Sequence, residues 1–197
     1  RWSCTGVPLQ TIPKRTELGK KMRRMYAPPP GLWMVAADFS QQEMRFGALY
    51  SGEPEMMMAY ERGVDIYCLV ASKLFGGLAS DYRKGGPKSG YREGAKIAAL
   101  AWFYGSSDAT VWTQLRPKLP NLTLAACSKA RFAFFAGFPK VRAYLLRIEQ
   151  EAYREDMVRE NLSGYEYHYF GQVNLNHAYS FKNQAGGARL MNVGIPK

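Results

Sequence analysis

One stretch limits what this chain can fold into: Arg92-Glu-Gly-Ala-Lys96-Ile-Ala-Ala-Leu100-Ala-Trp-Phe-Tyr104-Gly105. Its composition and spacing predict a helix over about 91–105, with Gly105 as the stop. Arg92, Lys96, Leu100 and Tyr104 then recur at four-residue steps. Each step overshoots a turn by about 40°, so the four form one slowly turning stripe. Arg92 to Lys96 spans about 6 Å along the axis, and Leu100 lies about 6 Å further on. Two cations followed by an apolar platform suit a ligand with a polyanionic tail and a flat, greasy head, as in a nucleoside triphosphate. The opposite face, Ala95, Ala98, Ala99 and Phe103, is small or apolar and can pack on a neighbour. Taken alone, basic residues four apart are more often a solvated face.

The remaining chain decides between those readings. The 197 residues carry 27 Lys and Arg against 16 Asp and Glu, a formal net charge of +11. That excess favours an anionic partner, nucleic acid or a membrane surface. No apolar run reaches the length of a bilayer span and no signal-peptide pattern stands at the start, so a membrane is the weaker choice. Cys4, Cys68 and Cys127 are widely spaced and form no C-x-x-C pair, as in a reducing compartment. With only His168 and His177, zinc is disfavoured, and any metal is expected to be held by carboxylate oxygen, which points to magnesium. Because the chain begins at Arg1 and ends just past a helix-like stretch, it reads as a piece cut, processed or encoded apart from a longer protein.

Residues 1–31 are rich in Lys, Arg, Pro and Thr, a basic lead-in suited to phosphate contacts or to a solvated arm. Pro28-Pro29-Pro30-Gly31 breaks the chain. Leu32 to Ala37 is a short apolar run that reads as a buried strand ending at Asp38. A carboxylate there needs a cation or donors, met either by a bound metal or by capping the next helix. That helix is expected from about Ser40 to Tyr50, with Ser40-x-x-Glu43 as a capping box.

Two motifs now agree. Asp38-Phe39-Ser40-Gln41-Gln42-Glu43-Met44-Arg45 resembles motif A of the family A DNA polymerases, the DNA polymerase I-like group, and Arg92-x3-Lys96-x7-Tyr104-Gly105 resembles their motif B. Leu9 to Arg15, Phe138 to Arg142, Gly164-Tyr165 with Phe170-Gly171, and Asn183 to Gly186 follow in the family's order, so the similarity covers nearly the whole chain. It implies an α+β, predominantly helical fold, the palm and fingers of a polymerase right hand with an incomplete palm sheet. Residues 1–52 and 150–197 would be palm and 53–149 fingers. Asp38 and the backbone carbonyl of Phe39 would hold magnesium, two ions stabilising the attacking and leaving oxygens of an in-line phosphoryl transfer. Gln41, Glu43, Tyr67, Arg92, Lys96, Leu100 and Tyr104 would contact the incoming dNTP. Among them Glu43 would crowd the sugar 2′ position, and Lys96 would protonate the departing pyrophosphate. Arg1, Gln10, Thr11, Arg15, Tyr104 and Gln184 would touch primer–template DNA.

The chain also departs from the pattern. Leu100 stands where Phe or Tyr is usual and cannot stack as an aromatic does. Tyr67 replaces a phosphate-binding His, Glu93 a residue that is often basic, Thr11 an Asn, and Gln172 an Arg. The family's His-Asp-Glu turn, which carries the second catalytic aspartate, is absent from the sequence. A second polypeptide is expected to bring it, and others the thumb and exonuclease, as in a split polymerase in the cytoplasm of a bacterium or phage-infected cell, an organelle remaining open. The competing readings are a single-subunit RNA polymerase fragment, opposed by Glu43, and a non-catalytic nucleic-acid-binding relic. Elsewhere, Glu55 to Tyr60, Ile66 to Phe75, Arg131 to Phe135 and Tyr144 to Leu146 read as packed helix, and Glu149 to Asp156 as the acidic part of a solvated one.

Overall fold

The computed structural model describes residues 12–13, 16–33, 35 and 38–194. The chain divides into two compact units, 1–40 and 41–197. In the first, Thr16 caps α1 (Glu17–Arg24), its side chain accepting from the Gly19 N–H. Arg23 donates to the Ile12 carbonyl. Gly19 is obligatory there, because a Cβ would collide with the Pro13 carbonyl. The strand expected over 32–37 falls partly outside the described residues. Its described members, Leu32, Trp33 and Val35, are exposed and join no ladder. An apolar run becomes a strand only when a partner satisfies its backbone groups, and here none of the described strands does.

The second unit is helical: α2 (Gln42–Ser51), α3 (Pro54–Glu61), α4 (Ile66–Phe75), a 3₁₀ turn at Ala79–Tyr82, α5 (Ser89–Phe103), α6 (Asp108–Leu115), α7 (Leu124–Gly137), α8 (Pro139–Glu155) and α9 (Leu175–Gly194). Between α8 and α9, β1 (Met157–Arg159) and β2 (Glu166–His168) form an antiparallel pair with Val158 opposite Tyr167. The fold is thus α+β and predominantly helical, as expected. Both the region read as fingers, 53–149, and the later one, 150–197, lie inside this unit.

Helix starts follow local chemistry. Asp65, Ser107 and Thr123 cap α4, α6 and α7, each accepting a backbone N–H two or three residues on. Helix α2, expected from about Ser40, begins at Gln42, with Gln41 at the N-cap position in the left-handed region at φ 55°. The core is built from Ala95, Ala98, Ala99, Trp102 and Phe103 of α5 against α2, α4 and α7. Met56 of the methionine triplet joins it, while Met57 and Met58 remain partly exposed. The acidic end of α8 does more than face water. Glu149 accepts from the Tyr179 hydroxyl, and Glu151 accepts from Lys182 and from the Arg159 backbone N–H, tying α8 to α9 and β1.

Candidate functional site

Helix α5 presents the predicted stripe, and its members differ sharply in environment. Arg92 is 7% exposed, Lys96 is exposed, and Leu100 and Tyr104 are half-buried. The difference comes from α4, which packs along α5 and brings Asp65 and Tyr67 beneath the first turns. Arg92 Nε donates to Asp65 Oδ2 at 3.0 Å, and an Nη donates to Glu93 at 2.7 Å. Burial opposes a charged guanidinium, but the bond to Asp65 and the two carboxylates outweigh it and hold the proton more firmly than usual.

Tyr67 links the two cations. The Arg92 guanidinium carbon and Lys96 Nζ lie 5.5 and 5.6 Å from its ring centre, within cation–π range. The ring is 3% exposed. Burial first, then the charges of Glu43 and Asp65, push its hydroxyl pKa up, so it stays protonated. Tyr67 is therefore a platform under the stripe and presents little of itself to a ligand.

At the other end of α5, the Tyr104 hydroxyl faces the Glu43 carboxylate in the first turn of α2. Burial and Glu43 raise its pKa, while a bond from Asn183 works the other way. Asn183 Nδ2 reaches both that hydroxyl and the Glu43 backbone carbonyl at 3.5 Å, so α9 spans the tips of α2 and α5. Side-chain atoms Gln41 Oε1, Gln42 Nε2 and Asn183 Oδ1 are buried with no hydrogen-bond partner among the described residues. These are one donor and two acceptors kept dry near one carboxylate and one phenol, as a polar ligand would require.

Asp38 and Phe39 belong to the first unit, where both are exposed. Arg1, Gln10, Thr11 and Arg15 lie outside the described residues. Gln184 is exposed on α9, one residue beyond buried Asn183. The structure thus brings together Glu43, Tyr67, Arg92, Lys96, Leu100 and Tyr104 in one unit. Two partners escaped the sequence: Asp65 and Asn183. An Asp before an apolar helix signals a cap, but nothing in the sequence signals its bond to a guanidinium 27 residues away.

The comparisons with known proteins bear on the family and the fold. The family model described as DNA polymerase family A matches residues 1–186. DNA polymerase I of Chloroflexus aurantiacus is 34% identical over 152 residues, 74% of this chain and 14% of that protein. The thermostable DNA polymerase I of Thermus aquaticus is 32% identical over 164 residues, 83% of this chain and 18% of that protein. The chain therefore spans less than a fifth of these relatives. A solved structure, the POL domain of Pol1 from M. smegmatis in complex with DNA primer-template and dNTP, superposes with a TM-score of 0.79 at 25% identity, over 97% of this chain and 34% of that one. With 186 of 197 residues inside the family model, the chain belongs to DNA polymerase family A.

Proposed function

We propose that this chain supplies the nucleotide-gripping part of a template-directed DNA polymerase that adds deoxynucleotides to a primer 3′ end. The observation that carries the reading is the layout of α5: exposed Lys96 at its middle and Tyr104 facing Glu43 at its end. In this reading the triphosphate lies along the stripe. Arg92 brings a charge already offset by Asp65 and Glu93, so Lys96 carries the larger share of the field and donates the proton to departing pyrophosphate. Leu100 lies against the base, and Tyr104 stands where the templating base enters. Glu43, with Gln41 beside it, walls off the sugar 2′ position. Gln184, with Arg1, Gln10, Thr11 and Arg15, touches the primer–template duplex. Residues 1–52 and 150–197 act as palm and 53–149 as fingers, in a bacterial or phage-infected cell; no helix among the described residues is long and apolar enough to cross a membrane.

The Asp38 carboxylate and the Phe39 carbonyl are oxygen donors of the kind magnesium takes, and Asp38 is exposed. Among the described residues no group of three or more His, Cys, Asp or Glu forms a metal cage. Two donors are nonetheless a fitting protein share, since magnesium commonly completes its shell with water and substrate phosphates. When bound, such ions offset the charge that develops around the transferred phosphate. The 197 residues hold no His-Asp-Glu turn, so in this reading the second carboxylate comes from outside them.

The test is primer extension by the chain mixed with a palm fragment of a relative that carries that turn. Extension with dNTPs and not with NTPs is expected, falling about a hundredfold or more for Lys96→Ala and for Asp38→Ala. Full activity of Asp38→Ala would rule out its metal role. Incorporation of NTPs would instead favour an RNA polymerase. One observation favours a second reading, a non-catalytic nucleic-acid binder: Arg92 is engaged by two carboxylates. That reading predicts primer–template binding without extension under any combination.

A further inference from the structure

Arg92 and Lys96 stand about one turn apart on α5, yet their charges are placed very differently. Lys96 is exposed, and among the described residues no carboxylate pairs with it. Arg92 is closed in. The Tyr67 ring lies 5.5 Å from its guanidinium carbon, Nε and one Nη donate to Asp65 Oδ2, and the other Nη donates to Glu93 at 2.7 Å. Three of the five guanidinium N–H groups are thus taken, in a side chain 9% exposed.

The two acids are held with unequal firmness. Asp65 is fixed from behind: its Oδ1 accepts the Tyr67 N–H that starts α4, while Oδ2 takes two bonds from Arg92. Glu93 makes one bond, and its side chain is 41% exposed. It is also the next residue along the helix. Residues i and i+1 point about 100° apart and do not face each other. The Arg92–Glu93 pair therefore bends two side chains across α5, against their rotamer freedom and in reach of water. Asp65 is the standing partner and Glu93 the exchangeable one. A carboxylate on the edge of a guanidinium is the contact that a phosphate makes in its place.

We propose that Glu93 is a built-in competitor for the Arg92 guanidinium, one that a polyphosphate tail must displace before Arg92 can grip it. Asp65 keeps the guanidinium in position throughout. Lys96 meets the tail first, and Arg92 joins when Glu93 swings out to water. Glu93 is then a positioning residue that acts through Arg92 and lowers affinity. This rests on reading α5 as the grip for a nucleoside triphosphate, and two probes separate the two ideas. The full chain is titrated by calorimetry with inorganic tripolyphosphate and, separately, with dATP. Glu93→Gln keeps the length and helix propensity of the side chain. It is expected to tighten both ligands about fivefold, the upper end for a partly exposed pair, and to give no gain in an Arg92→Gln background. A second readout leaves Arg92 intact: adding tripolyphosphate to the unaltered chain should shift the Arg92 Nη resonances while Nε, bonded to Asp65, stays. Unchanged or weaker binding by Glu93→Gln, a gain that persists without Arg92, or unmoved Nη resonances in the liganded chain overturn the proposal. Arg92-dependent tightening of tripolyphosphate with no binding of dATP sustains the competition and sinks the nucleotide reading. Binding of dATP that ignores Glu93→Gln does the reverse, and binding of neither probe by any variant sinks both.

Discussion

Asp65 serves two helices with one carboxylate. Its Oδ1 accepts from the Tyr67 N–H at 2.9 Å and starts α4, while Oδ2 accepts from Arg92 on α5. Asp65→Asn keeps an oxygen for the cap but removes the charge, leaving Arg92 at 7% exposure with Glu93 alone. The expected loss is about 1–3 kcal/mol. Asp65→Ala also removes the cap and loses about 1 kcal/mol more. Urea midpoints at unchanged slope measure both, and equal stability of the two variants would deny the capping role. Glu160 makes a pH-dependent counterpart. Burial pushes its pKa up, but bonds from Ser163, Tyr50 and the Leu162 and Ser163 N–H groups win and hold it below the ordinary carboxylate value of 4.5. Folding thus favours its charged form: the stability it contributes is present above pH about 4.5 and is lost as pH falls through the lower, folded value. Wild-type protein should lose more stability between pH 5 and pH 3 than Glu160→Gln, by thermal unfolding at each pH.

At the scale of the element, glycines distinguish close packing from open helix. Gly186 lies where α9 crosses α2, and a Cβ there would collide with the Tyr50 hydroxyl and sit 3.1–3.2 Å from Phe46 and Glu160. Gly90, in the first turn of α5, has nothing within 4 Å of a built Cβ. Gly186→Ala should therefore destabilise by about 1–3 kcal/mol, and Gly90→Ala should stabilise by up to about 1 kcal/mol; opposite shifts in thermal midpoint check the pair. The same contrast explains which elements were legible. Helix α4 begins and ends where the sequence predicts, at Ile66 and Phe75, because apolar periodicity and the preceding Asp are local signals. Helix α5 starts at Ser89, two residues early, since Gly90 does not interrupt it. Helix α2 starts at Gln42, two residues after Ser40, behind a left-handed turn at Gln41 that the sequence pattern does not announce. In the run 32–37, the described Leu32, Trp33 and Val35 join no ladder, because a strand is a property of two chain segments and apolar sequence reports only one. In the site, the Arg92–Lys96–Tyr104 stripe was readable from helical spacing. The duty of Asp65, the platform of Tyr67 and the span of Asn183 arise from tertiary contacts across 25 to 140 residues.

For the whole molecule, the formal charge of +11 turns the proposed function into a salt dependence. Helix α1 alone carries Lys20, Lys21, Arg23 and Arg24. Lys20 pairs with Glu17, and Arg23 is spent on the Ile12 carbonyl, whereas Lys21 and Arg24 are exposed. If α1 lies along the primer–template backbone, each exposed cation releases a counterion on binding, and log affinity falls with log salt by about 0.9 per phosphate contacted. Lys21→Gln/Arg24→Gln should then flatten the slope by about 1.8 and weaken binding equally for duplexes of any sequence, since phosphate contacts carry no base information. Lys96→Gln removes the same kind of charge from α5 but should leave the duplex slope unaltered, because its proposed partner is the triphosphate. Titrations of one blunt duplex between 50 and 200 mM salt measure all three chains. A slope changed by Lys96→Gln and unmoved by the α1 pair would reassign α5 to the duplex and leave the basic lead-in as a solvated arm.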